Sequence, residues 1–239
     1  MPVVKWEKQE SVAVLSMDNG PNVQNLDFAL GMLQALAEIL EDPGIGAVVL
    51  HSTDEKNWSQ GVDLGWLMER FGAGDTDSIK QFMYRMNDVF KTLLTAPLPF
   101  IAAINGHAYG NGAILACACD FRFMRKDKGF FCFPEVDKGI PFLPSMLGTV
   151  RKAIPMHKLN EMQLTGKRVA APELEEQHVI DKACAAGELL QDAVGFGATF
   201  QKKRGIFGEL KRRLHKDIAL AMEKEDPLFI EPFNLMVMD

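Results

Sequence analysis

Between residues 11 and 17 the chain reads SVAVLSM, a short β-prone run closed by Asp18, Asn19, Gly20 and Pro21, and it predicts a strand. The period then changes. Leu30, Leu33, Ala37 and Leu40 recur at helical spacing across 27–41, with Asp27 as candidate N-cap and Pro43-Gly44 as the stop. The apolar run AVVL at 47–50 predicts a buried strand, so the chain opens as strand, helix, strand.

The next stretch, STDEKNWSQGVDLGWLM, passes from polar residues to a turn at Gly61, which allows the N–H of Val62 to face a ligand, with Asp63 placed to cap a helix. A plain strand-to-helix turn fits the same residues. Phe71 to Asp75 reads as a break. Across 78–95, Ile79, Phe82, Met86, Val89, Phe90 and Leu93 form an amphipathic stripe that is core, and Pro97 and Pro99 end it.

Strands follow at 100–104, 121–124 and 130–133. Between the first two lie an Asn105-Gly106 turn, the loop Gly110-Asn111-Gly112, and an apolar segment at 113–119 long enough for a buried helix. Glycines on both sides of Asn111 let a ligand approach the backbone, and N–H groups at a helix start favour an anion. A tight connection without a ligand remains the alternative. Glu135, downstream, is a candidate base or a surface carboxylate. Further helices are predicted at 145–154, 156–164 and 172–179. From Leu189 onward the sequence is helical and increasingly basic, which sets a boundary between 1–188 and a C-terminal helical region, 189–239.

Composition narrows the class. With 239 residues, 47% of them hydrophobic and 24% charged, the chain can bury a large core. A net charge of −6 argues against a protein held to nucleic acid by its phosphates. Cys117, Cys119, Cys132 and Cys184 show neither CxxC pairs nor a disulfide framework, and the five histidines show no metal-ligand spacing. The charged start, MPVVKWEKQE, lacks a signal-peptide core and no run reaches membrane-span length, so a cytoplasmic protein is expected. The terminal Val237-Met238-Asp239 is not a peroxisomal address.

The order of these features resembles the crotonase superfamily, the enoyl-CoA hydratases and isomerases. The matching stretches are Asn22 to Leu26, Trp58 to Leu64, Ile104 to Gly112, Cys119-Asp120, and Phe133-Pro134-Glu135 through Pro141. The resemblance implies an α/β fold, a spiral of repeated ββα units with C-terminal helices that build a homotrimer or a dimer of trimers. It also implies an acyl-coenzyme A ligand and no separate cofactor. Its thioester oxygen would meet the N–H groups of Val62 and Asn111, with Ser59, Gln60, Gly61 and Gly110 in the substrate-binding loops.

Hydratases of this superfamily carry two glutamates. The chain keeps Glu135 but has Ile114 at the first position. A single carboxylate beside two fixed donors suits a 3,2-enoyl-CoA isomerase, in which one glutamate takes a proton from C2 and returns it at C4. An enoyl-CoA hydratase and a non-catalytic acyl-CoA-binding member are the alternatives. Asp137 is a second candidate acid, since on an extended segment it faces the same way as Glu135. His107 is a candidate base beside the donor loop, with a packing role as the other reading.

Overall fold

The computed structural model describes residues 3–237. Its largest sheet runs, from one edge to the other, Val4–Gln9, Val12–Met17, Ala47–Ser52, Phe100–Ile104, Phe121–Arg125 and Lys182–Cys184. The first pair is antiparallel and every other neighbour is parallel. Its central strands carry continuous apolar runs, VAVL, AVVL and FIAAI, because both faces are covered. Leu15, Val48, Leu50 and Ala102 face the main core, while the alternate residues Val12, Val49, Ile101 and Ala103 face a second cluster closed by Leu189 and Ala193. The helix Leu189–Ala198 lies so close that a Cβ on Gly197 would sit 3.3 Å from Ala47.

Each turn of chain adds one strand to the large sheet and the next to a smaller one. Thus Ala47–Ser52 leads to Asn57–Ser59, Phe100–Ile104 to His107–Tyr109, and Phe121–Arg125 to Phe131–Cys132. The three short strands pair in parallel, with His107–Tyr109 central. This is the expected spiral. A third, two-stranded sheet pairs Val23–Gln24 with Gly61–Val62.

Local expectations needed three corrections. The strand Val4–Gln9, VKWEKQ, is absent from the sequence reading because it is an edge strand with mostly exposed side chains, held by Lys5 to Asp18 at 2.6 Å and Lys8 to Asp42 at 2.8 Å. The helix Leu26–Glu41 is capped by Asn25, whose side chain accepts the Phe28 N–H at 3.1 Å; Asp27 instead lies in the first turn, where its charge meets the helix dipole. Glu135 and Asp137 stand on a one-turn helix, Glu135–Lys138, not on an extended segment.

Beyond Leu189–Ala198, the helices Arg204–Leu214, Lys216–Lys224 and Pro227–Ile230 are fastened to the spiral by two buried charges. Lys211 Nζ donates to Leu93 O at 2.7 Å, Leu98 O at 3.1 Å and Asp120 Oδ2 at 2.7 Å, placing a cation at the end of the helix Thr76–Thr95. The wholly buried Asp226 carboxylate accepts from Asn87 Nδ2 at 2.9 Å, from the Ser145 N–H at 3.0 Å and from Ser145 Oγ at 2.5 Å. The Val237 N–H then donates to Gly139 O at 2.8 Å, bringing the chain back to the Glu135 turn. The Met238-Asp239 end of the terminal tripeptide lies outside the described residues, as do Met1 and Pro2.

Asp226→Ala would leave three buried donors without their acceptor. Unfolding in urea should show a loss of about 3 kcal/mol. A midpoint within error of the parent would show that these bonds do not hold the C-terminal helices.

Candidate active site

Because the strands of the small sheet are parallel, the loops at their C-terminal ends meet at one place. Asn57–Ser59 runs into Gly61–Val62, His107–Tyr109 into Gly110 and the helix Asn111–Ala118, and Phe131–Cys132 into Pro134 and Glu135. Gly61 has φ +76°, and a Cβ there would lie 2.6 Å from Tyr109 O and 3.0 Å from the Asn111 nitrogen. Only glycine lets these two backbones approach. Gly110, with φ +55°, is the N-cap of the following helix and supplies no side-chain cap. The first-turn N–H groups of a helix have no partner within it, so this start can receive a negative oxygen.

The carboxylate of Glu135 stands at the same point. A Cβ on Gly110 would lie 3.3 Å from Glu135 Oε1. Glu135 Oε2 is buried and has no hydrogen-bond partner among the described residues. Burial, the first cause, pushes the pKa up to about 7, opposed only by a bond from its own N–H. A carboxyl group so poised exchanges a proton near neutral pH.

The other candidates lie elsewhere. Asp137 is exposed, and its Oδ2 lies where a Cβ on Gly166 would come within 2.6 Å. Two residues along a helix point to different sides, which is why the expectation of a shared face fails. His107 begins its strand, at the end away from the donor loops, and its ring packs against Phe130 at a tilt of 45° with centroids 4.1 Å apart. Burial first, then Lys56, Arg168 and Lys128, lower its pKa. Ile114 is 1% exposed in the core, where it can neither donate nor accept a proton. Among the described residues no group of three or more His, Cys, Asp or Glu could hold a metal ion, and no helix is long and apolar enough to cross a membrane.

The Ser59 side chain is engaged inside the fold. It is wholly buried; its hydroxyl donates to Asn22 O at 2.7 Å and accepts from Gln24 Nε2 at 3.1 Å and from the Gly61 N–H at 3.2 Å. It braces the loop from behind, since a serine turned into the interior must find partners there. Gln60 is half-buried and bonds through Nε2 to Asn57 Oδ1. Gln24 was missed as part of this site: it is a polar residue in the matching Asn22 to Leu26 stretch, and its bond to Asn111 spans 87 residues of sequence.

A family model described as enoyl-CoA hydratase/isomerase matches residues 7–230. The chain belongs to the enoyl-CoA hydratase/isomerase family. It is 26% identical over 234 residues to enoyl-CoA delta isomerase 2, peroxisomal, of Arabidopsis thaliana, covering 95% of this chain and 98% of that protein. It is 29% identical over 213 residues to a putative enoyl-CoA hydratase of Thermus thermophilus, covering 89% and 81%. The crystal structure of an enoyl-CoA hydratase/isomerase family protein from Pseudomonas syringae superposes with a TM-score of 0.86 at 18% identity over 96% of this chain and 97% of that one, a likeness of fold.

Because folding raises the Glu135 pKa, the folded protein holds this proton more tightly than the unfolded chain does. Its contribution to stability is complete below the ordinary value of 4.5 and is lost as pH rises to about 7. Glu135→Gln should therefore gain up to about 3 kcal/mol over the parent at pH 8, with the gain vanishing near pH 4. Equal urea midpoints for the two proteins at pH 8 would show that the carboxylate is not desolvated.

Proposed function

We propose that this enzyme is an isomerase that moves the double bond of a 3-enoyl-coenzyme A thioester to the 2-position. The observation that carries the reading is the Glu135 carboxylate, whose buried Oε2 has no hydrogen-bond partner among the described residues, beside the uncapped helix start at Gly110, with Ile114 in place of a second acid. The resemblance to a delta isomerase over 95% of the chain supports it.

The Glu135 carboxylate removes a proton from C2. The C–H bonding pair moves toward the thioester, giving a dienolate whose charge rests on the carbonyl oxygen. The N–H groups of Val62 and Asn111 hold that oxygen, and losing one such donor typically costs about 2.7 to 4 kcal/mol of transition-state stabilisation. The protonated Glu135 then returns the proton at C4, leaving the double bond conjugated with the thioester. A single acid–base group completes the cycle, coenzyme A is part of the substrate, and the proposed chemistry calls for no further cofactor. The apolar tail has a wall to follow: Leu64, Met68 and Phe71 are exposed on the helix Leu64–Gly72, which begins just after Val62. The second reading is an enoyl-CoA hydratase, favoured by the similarity to the putative hydratase of Thermus thermophilus.

The assembly proposed is a homotrimer or a dimer of trimers built through region 189–239. Ile206, Leu210 and Leu214 form an exposed apolar stripe at four-residue spacing on Arg204–Leu214.

Incubation with 3-enoyl-CoA of short and long chain should produce the ultraviolet absorption of the conjugated thioester, and absence of conversion at every length would end the isomerase reading. Glu135→Gln should lower kcat by about 10² to 10⁴-fold, while acyl-CoA binding persists. Since the base works as the carboxylate, kcat/KM should rise with pH through about 7. Hydration of a 2-enoyl-CoA at a competitive rate would favour the second reading, and binding without turnover of any thioester would favour a non-catalytic role. Light scattering should give three or six times the 26.6 kDa chain mass, reduced by Leu210→Lys; a monomer at micromolar concentration would reject the assembly.

A further inference from the structure

Behind the two proposed donors runs a chain of buried polar side chains. Asn111 Nδ2 donates to Gln24 Oε1 at 2.7 Å, and Gln24 Nε2 donates to Ser59 Oγ at 3.1 Å. The same hydroxyl accepts the Gly61 N–H at 3.2 Å and donates to Asn22 O at 2.7 Å. Asn22 Nδ2 continues to Ser52 Oγ at 2.7 Å and to Trp58 O at 3.2 Å. Asn22, Gln24, Ser52 and Ser59 have no exposed surface, so water does not substitute for these partners.

Gln24 sits at the junction. Its amide oxygen holds the side chain of Asn111, whose own N–H is one donor. Its amide nitrogen holds the hydroxyl that fixes Gly61, the residue before the other donor, Val62. Its backbone lies on Val23–Gln24, paired in register with Gly61–Val62, and Gln24 O accepts the Asp63 N–H at 2.8 Å. Asn111 Oδ1 is buried without a partner among the described residues, so the bond to Gln24 alone orients that side chain there.

We propose that Gln24 is a positioning residue that sets the separation and direction of the Val62 and Asn111 N–H groups. The inference rests on the isomerase reading above and deepens it. A primary amide meets the need because it offers an acceptor to Asn111 and a donor to Ser59 at once; a carboxylate lacks the donor and a hydrocarbon lacks both. Donors act on a developing oxyanion only when they are aimed before it forms, and a misplacement of about 1 Å can cost about 10²-fold in rate. The effect on rate therefore exceeds what the loss of two internal bonds does to binding.

Gln24→Met, of similar length, should lower kcat for 3-enoyl-CoA about 10- to 100-fold with KM within about threefold. Infrared difference spectra of a bound 2-enoyl-CoA should show a smaller downshift of the thioester C=O stretch than in the parent. Asn111→Ala keeps the backbone N–H but removes the side-chain bond, and should change kcat and the stretch in the same direction. In an Asn111→Gly background, Gln24→Met should do less than in the parent. Parent-like kcat and C=O stretch in both Gln24→Met and Asn111→Ala would overturn the proposal, as would a full Gln24→Met effect in the Asn111→Gly background. If Gln24→Met does not fold, Asn111→Ala decides by the same two readouts. A parent that binds acyl-CoA without isomerising it fails the isomerase reading alone, and the C=O stretch still judges the clamp. With no acyl-CoA bound at all, amide exchange of Val62 and Asn111 judges it: faster exchange in Asn111→Ala supports the clamp and unchanged exchange rejects it.

Discussion

Parallel pairing, everywhere but in the first pair of the large sheet, is the constraint from which the rest of this structure follows. A parallel strand cannot return by a hairpin, so the chain must cross over between neighbours, and here three successive crossovers each first place a short strand in the three-stranded sheet. The C-terminal ends of those short strands consequently coincide. Gly61, Gly110 and Glu135, separated by 74 residues from first to last, come together because three successive turns of chain end at the same edge. The same constraint buries both faces of the large sheet, which is why the helix Leu189–Ala198 packs on it with the alternate residues of its strands.

Glu135 shows the tension between stability and chemistry. Among the described residues its carboxylate has neither a cation nor a donor beyond its own N–H, so ionisation there is disfavoured, and the group is held near the pH at which a proton is readily taken and returned. Asp226, which also has no ion-pair partner among the described residues, meets three hydrogen-bond donors and pins helices. The two carboxylates thus differ in the number of hydrogen bonds offered to each. Within the proposed reaction, the donors at Val62 and Asn111 complement the first of them.

Large parts of this were legible from the pattern of residues. Continuous apolar runs marked the central strands, the stripe from Ile79 to Leu93 marked the long helix, and Asp63 marked a cap that the structure confirms through its bond from the Trp66 N–H at 3.0 Å. These signals are local: periodicity and capping depend on residues within a turn or two. The edge strand Val4–Gln9 escaped because its partners cover little of it, and the cap at Asn25 escaped because Asp27 offered an equally suitable side chain two residues on.

What the sequence determined by itself was the central strands of the large sheet, the longer helices, the two glycine loops and the presence of Glu135; only the resemblance to the hydratases set Ile114 against their first glutamate. Tertiary structure alone decided that Asp137 turns toward Gly166, that Ser59 faces inward, and that Gln24 meets Asn111. Burial and long-range contact are properties of the packed chain, set by which surfaces the two sheets bring together, and no spacing along the sequence carries them.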